Sequence, residues 1–415
     1  MPARYPVLRR ISRSLVALCL ALTLALAAGV GEGTARERVP PPEPSQIPWI
    51  GPQTERDLLA AIAAYERIVA AGGWPALPPR TVLRPGESDA SVAILSQRLQ
   101  MSGDLRDGGD DYTYGEALEA AVKRYQRRHG LEPNGIVYGI TLRSLNVPAE
   151  VRLAQLHLNL SRVQQLTPKL VTAQRYILMN AASFELQAIA DGRVEIASRT
   201  IAGKRQTPTP VVSARLQAIN ILPYWHVPGS IAKAAIIPKM RKDPSYLAKE
   251  RIRVFSTFGG EEIDPATINW WEPGAERYAF RQDPGPQNAL GLLRFDMPNK
   301  HIVYMHDTPM KNLFGFFERA YSAGCVRVQE FYDLAEWALA GHQGWTRTRL
   351  EDAAASARGI TIKLPKAIPV HFIYLTAWMQ DGVVQFRNDL YNRDEGAFEG
   401  GEDISARVVN QSLAP

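Results

Sequence analysis

The sequence predicts an α+β, multidomain protein: a small all-α, three-helix domain, followed by a mostly-β domain that carries a large insertion. Three observations predict it. Apolar residues recur at helical spacing as far as about residue 148. From about Tyr176, two-residue alternation and tight hairpin turns take over. Residues 227–300 show neither period and are rich in Pro, Gly and Trp, which reads as a functional loop region inside the second domain. The 415 residues allow two or three domains, each able to bury a core. With 46% hydrophobic and 22% charged residues, the chain is neither disordered nor collagen-like.

Residues 1–35 read as a signal peptide or N-terminal anchor. Arg4, Arg9, Arg10 and Arg13 precede an unbroken apolar run, Leu15 to Ala28, and small residues follow. The run falls short of the ~20 residues that span a bilayer comfortably, which favours a cleaved secretory signal and an exported chain; the periplasm or cell envelope is expected only when this is joined to a family resemblance. This segment supplies half of the formal charge of +6. No basic run elsewhere marks a phosphate-backbone footprint, so nucleic acid is not an expected partner. One of the two cysteines, Cys19, lies inside the apolar run. Cys325 is then the single thiol of a mature exported chain, unable to form an internal disulfide, and catalysis is the best reason to keep it.

Residues 36–83 read as a Pro-rich linker and a helical segment. Pro40, Pro41, Pro42, Pro44, Pro48 and Pro52 fall in residues 36–53. A helix follows from Thr54 to Ala71, with Leu58, Ile62, Tyr65 and Val69 on one face and Gly72-Gly73 as its stop. Residues 84–150 form the small helical domain. Ser88 or Asp89 caps a helix carrying Val92, Leu95 and Leu99; a second helix, from about Tyr114 to His129, carries Leu118, Ala121, Val122 and Tyr125. Asn134-Gly135 turns the chain, and Thr141 caps a short third helix. Lys123, Arg124, Arg127 and Arg128 read as a solvated helix face or a docking surface.

Residues 151–394 hold the mostly-β domain, and 395–415 read as a flexible tail. Asp191-Gly192 joins Phe184–Gln187 to Val194–Ile196 as a hairpin; Asp381-Gly382 joins residues 370–377 to Val383–Phe386 in the same way. A helix carries Phe331, Leu334, Ala335 and Ala338 on one side. Ile302–Met305 reads as a buried strand that delivers His306 to its end. Nineteen residues later comes Cys325, after Gly324, whose missing side chain would let a substrate carbonyl approach. A histidine beside a thiol can take its proton and leave a thiolate, and the backbone N–H groups of Gly324 and Cys325 could hold an oxyanion. A metal site is the rival. His226, His301 and His306 lack zinc-ligand spacing, so no metal and no other cofactor is expected.

The segment AVKRYQRRHGLEPNG…TLRSLN resembles a peptidoglycan-binding domain. His306, with Ser322, Gly324, Cys325 and Arg327 in the order Ser-x-Gly-Cys-x-Arg, resembles the L,D-transpeptidase (YkuD-type) catalytic domain, and within it the large, YcbB-like enzymes that also carry such a binding module. Pro223-Tyr224-Trp225, Ile237-Pro238-Lys239 and Asp243–Leu247 add to the likeness. Ala323 stands where one common form has histidine, and Leu222 and His226 stand where asparagines are expected. The resemblance implies a β-sandwich-like catalytic domain with a lid over about 227–300. It implies Cys325 as nucleophile and His306 as base, oriented by a backbone carbonyl, and Tyr304, Ser322, Arg327 and Trp225 as candidates to line the pocket or bind substrate. The implied reaction joins peptidoglycan stems: the thiolate attacks the diaminopimelate–D-Ala bond of a tetrapeptide, and the thioester passes to an amine as a 3–3 cross-link. Wall-synthesis enzymes are implied partners, and membrane contact would come only through an N-terminal anchor. Two alternatives stay open: an L,D-carboxypeptidase or endopeptidase with water as acceptor, and a non-catalytic wall-binding scaffold.

Overall fold

The computed structural model describes residues 45–106, 112–342, 344–356 and 358–394. The apolar amino-terminal run, most of the prolines read as a linker, and the tail over 395–415 lie outside the described residues.

Five helices come first, Thr54–Ala70, Ser91–Met101, Glu116–Arg128, Gly139–Leu145 and Ala149–Leu170. The second, third and fourth enclose their own core, with Leu95, Leu99, Leu118, Val122 and Leu145 at its centre. Asn134 and Gly135 make the expected turn: the Asn134 side chain accepts from Ile136 N–H at 2.9 Å, and Gly135 sits at φ +74°. Thr141 lies inside the fourth helix rather than capping it; Tyr138, in extended conformation, precedes the first turn. The sequence reading had no place for the 22-residue Ala149–Leu170 helix. Its buried face mixes Leu156, Leu160 and Val163 with Arg152, Gln155 and Asn159, and those polar positions mask the apolar period.

The strands begin with β1 (Arg175–Asn180), β2 (Glu185–Ala190), β3 (Arg193–Gly203) and β4 (Val212–Ile221). After the insertion come β9 (Leu293–Asp296), β10 (Met305–His306), β11 (Ala320–Ser322), β12 (Val326–Val328) and β13 (Ile360–Ile373). These form a nine-stranded sheet in the order β11-β3-β12-β10-β9-β4-β13-β1-β2, and β2 also pairs with β3. Hydrogen bonding therefore runs full circle, with the long β3 serving β2 along one half and β12 and β11 along the other. A ring of this kind leaves few unpaired edges. Asp191 and Gly192 both have positive φ, as does Asp381-Gly382 between β14 (Ala377–Gln380) and β15 (Val383–Phe386), which is the twist a two-residue hairpin needs.

β1 shows why its residues are apolar on both faces. Ile177 and Met179 join the core inside the ring, with Phe295, Met305, Val326 and helix Phe331–Ala338. Tyr176 and Leu178 face the other way, onto Leu58, Ile62 and Tyr65 of the first helix and Leu156, Leu160 and Val163 of the fifth. This corrects the linker expectation in its described part. Trp49 and Ile50 are each 2% exposed, and Trp49 N–H donates to the Gln187 side chain at 3.1 Å. The prolines there rule out a helix without ruling out a packed strap. The three-helix domain is therefore inserted between two helices that cover the sheet.

The insertion is likewise more ordered than its lack of period suggested. β5 (Trp225–Val227), β6 (Ile252–Phe255), β7 (Glu262–Ile263) and β8 (Ala279–Gln282) make a separate four-stranded sheet in the order β5-β8-β6-β7. Helical turns over residues 229–242 pack on it around Val227, Ile236, Met240, Val254 and Phe280. Strands of two to four residues are too short to show alternation, and a π-helical turn at Ala232–Ile236 breaks the 3.6-residue spacing. The insertion ends before residue 293 rather than near 300, because β9 belongs to the central sheet.

Candidate active site

β10 and β12 run parallel, with Met305 opposite Val326 and His306 opposite Arg327. Met305 and Val326 are fully buried in the core. Alternation then turns Tyr304 and His306 to the outer face of one strand, and Cys325 and Arg327 to the outer face of its neighbour. Val326 N–H donates to Tyr304 C=O at 3.0 Å, which extends the register to Tyr304 and Cys325. His306 and Cys325 are thus diagonal neighbours. Strand rise and spacing put their Cα atoms about 8 Å apart, and among the described residues no hydrogen bond joins the imidazole to the thiol. Only Met305–His306 forms the regular strand; Ile302, expected inside it, is 80% exposed at φ +54°. The ladder partners on both sides of β10, not a long apolar run, hold His306.

His306 is buried, and its Nδ1 lies 2.5 Å from Asp307 C=O. A carbonyl can only accept, so Nδ1 carries the proton and Nε2 keeps its lone pair. Burial and the nearby Arg327 cation push the imidazole pKa down to about 3. Asp307 supplies the carbonyl while its carboxylate is committed elsewhere: it accepts from Leu292 N–H at 3.0 Å and pairs with Lys311. Gly291, at φ +63°, makes room for this, since a Cβ there would stand 2.3 Å from the carboxylate oxygen.

Burial pushes the Cys325 thiol above its ordinary range, against hydrogen bonds from Tyr304, backbone and hydroxyl, that favour the thiolate. Burial thus works against both charged forms, thiolate and imidazolium. A neutral pair activates sulfur by passing the proton as the sulfur attacks. The loop before Cys325 is held by Ser322, whose hydroxyl donates to Cys325 C=O at 2.5 Å and accepts from Gly324 N–H at 3.0 Å. Gly324 N–H is thus spoken for and is not an oxyanion donor. Cys325 N–H has no hydrogen-bond partner among the described residues. Gly324 is needed for its φ of +120°, not for space, because a Cβ there meets nothing within 3.8 Å.

Sequence reasoning missed two contributors. Thr209, fully buried, accepts from Gly203 N–H and donates to Gly324 C=O, each at 2.9 Å, tying the Cys325 loop to β3. Arg294 stands opposite His306 on β9. A lone threonine or arginine gives no sign of this in the sequence; the folded contacts of Thr209 and the β9–β10 ladder do. Trp225 is not brought to the row: it lies on β5, against the core of the insertion. Among the described residues no cluster of His, Cys, Asp and Glu could hold a metal ion.

Residues 174–347 match the family model described as L,D-transpeptidase catalytic domain (YkuD), and residues 88–145 match the one described as "Putative peptidoglycan binding domain". The chain is 34% identical over 219 residues to a Haemophilus influenzae protein named "Putative L,D-transpeptidase"; the match covers 52% of this chain and 44% of that protein, less than half its length. Among solved structures the chain is similar to an L,D-transpeptidase from Xylanimonas cellulosilytica, at 16% identity over 72% of this chain and 100% of that one, TM-score 0.23. It is also similar to L,D-transpeptidase 3 from Mycobacterium tuberculosis in complex with a faropenem-derived adduct, at 11% identity over 48% and 60%, TM-score 0.23.

Proposed function

We propose, from the premise that this chain belongs through residues 174–347 to the YkuD family of L,D-transpeptidase catalytic domains, that it is a cysteine-dependent acyltransferase acting on peptidoglycan stems. The single observation that carries the reading is the outward row of Tyr304, His306, Cys325 and Arg327 on paired parallel strands. The Cys325 sulfur attacks the carbonyl between the L-centre of diaminopimelate and a terminal D-Ala. Its proton goes to His306 Nε2, and the oxyanion takes the Cys325 N–H and the Tyr304 hydroxyl as donors. The proton returns from His306 to the departing D-Ala amine as the C–N bond breaks, leaving a thioester. A second stem's side-chain amine attacks it, gives up a proton to His306, and releases the thiol with a 3–3 cross-link formed.

The match of residues 88–145 to a peptidoglycan-binding domain supports a wall substrate, and the apolar amino terminus supports export. Fractionation of cells carrying the tagged full chain checks export; a tag found only in the cytoplasm rules it out. For the chemistry, the purified chain is given tetrapeptide muropeptides and the products are weighed. A dimer lacking one D-Ala is expected. Tripeptide alone would make the protein a hydrolase, and no product a scaffold. Cys325→Ser is expected to abolish product and Cys325→Ala to lose the mass adduct of a carbapenem.

A further inference from the structure

The outward row continues past the imidazole on both sides: in register, Arg294 flanks His306 on β9 and Arg327 flanks it on β12. The two guanidiniums are not equivalent. Arg294 has a counter-ion, Asp296, at 2.8 Å, and Asp296 is itself held by the Asn220 amide at 2.8 Å. Arg327 has no ion-pair partner among the described residues. Its Nη1 meets only the Met310 sulfur, at 3.6 Å, and its Nε, like that of Arg294, is buried without a partner. A guanidinium partly stripped of water and left without an anion is an unfavourable arrangement. It is tolerated where a ligand supplies the missing charge.

Position says which charge. Arg327 lies two residues beyond Cys325 on the same face, about 6.6 Å along the strand. A substrate whose scissile carbonyl sits at the sulfur places a carboxylate one residue further along within reach of that side chain. We propose that Arg327 binds the free C-terminal carboxylate of the leaving residue and so restricts the donor to stems that end one residue after the scissile bond. This deepens the transpeptidase reading and rests on it. The fork of N–H donors suits a carboxylate in bidentate contact, and the half-exposed Met310 is the side chain against the cation. A donor extended by one residue puts a neutral amide where the charge belongs.

The test uses the full chain and three synthetic tetrapeptide donors: the free acid, its C-terminal carboxamide, and one amidated instead at the diaminopimelate side-chain carboxyl. Release of the leaving residue is followed to give kcat/KM for each. The wild type is expected to prefer the free acid over the carboxamide by about 10- to 100-fold, the loss of one charge-assisted contact, and to accept the side-chain amide like the free acid. In Arg327→Gln the acid-to-carboxamide ratio should fall to near one; Arg327→Lys should keep part of it. Equal use of acid and carboxamide by the wild type overturns the proposal. So does an Arg327→Gln variant that slows both donors alike, which marks a brace for the loop, and so does discrimination that follows the side-chain carboxyl. A wild type inert towards all three donors defeats the transpeptidase reading itself.

Discussion

At the scale of single residues, the state of one proton separates this site from a preformed ion pair. Cys325 sits above its ordinary range through burial, and His306 far below its own for the same reason. Iodoacetamide labelling of Cys325 is expected to be slower at pH 7 than for a model thiol and to climb through pH 9 and beyond. A rate already flat at pH 6–7 would show a thiolate at rest. Thr209 gives a second expectation. Thr209→Val removes the acceptor for Gly203 N–H and the donor for Gly324 C=O, at about 1–3 kcal/mol for the stranded donor. Carbapenem acylation should slow about tenfold with the fold retained, and Thr209→Ser should recover most of it. Cys325 and His306 could be singled out because their neighbours are local: glycine beside cysteine, apolar residues before histidine. Thr209 and Arg294 could not, because the Thr209 hydroxyl reaches a carbonyl 115 positions away and Arg294 meets His306 only through the β9–β10 ladder.

At the scale of elements, period decided what could be read. The two Asp-Gly turns and the helix Phe331–Ala338 are strong local patterns and stand where expected, but residues 370–373 belong to β13 of the central sheet, and the second hairpin's first strand is Ala377–Gln380 rather than 370–377. The two-residue strand β10, the insertion's short strands and the polar-faced helix Ala149–Leu170 carry too few repeats to announce themselves. Helix Thr54–Ala70 was read correctly as a helix, but not as part of the sheet's cover. Leu58, fully buried between that helix and the sheet, tests the correction. Leu58→Ala should cost about 2–5 kcal/mol and lower the melting temperature of the catalytic region. A variant that melts like the wild type would return this helix to the status of a tether.

At the scale of the whole molecule, the helical domain is joined to the β14–β15 hairpin by buried contacts. Arg387 donates to Arg128 C=O at 3.0 Å, Arg128 Nη1 donates to Val384 C=O at 3.3 Å, and the His129 and Phe386 rings stack at 5.5 Å. Arg128, offered by its sequence as part of a solvated face, is instead 6% exposed. His129 in this joint is held neutral by burial and by Arg128, as burial holds His306 down to about 3 and His371 down to about 4. Each binds its proton more weakly folded than unfolded. Between about pH 6.5 and these depressed values the unfolded chain therefore takes up more protons, and stability falls as pH falls. Denaturant midpoints should be steady above pH 7 and drop steadily from pH 6 to pH 4. A midpoint unchanged over that window would mean the three rings are not neutral in the native state.

The sequence by itself determined the chemistry available: one thiol behind a glycine, a histidine nineteen residues before it, and hairpin and helix patterns strong enough to be local. Tertiary structure alone decided which of these groups meet, and in what state. Register between β10 and β12 sets the row, burial sets both pKa directions, the folded loop turns the Ser322 hydroxyl onto Gly324 N–H, and a distant segment brings Thr209 in. Side-chain identity and short-range period are written in neighbouring residues. Proximity, desolvation and the commitment of each donor depend on segments far apart in the chain, and only the closed sheet brings those together.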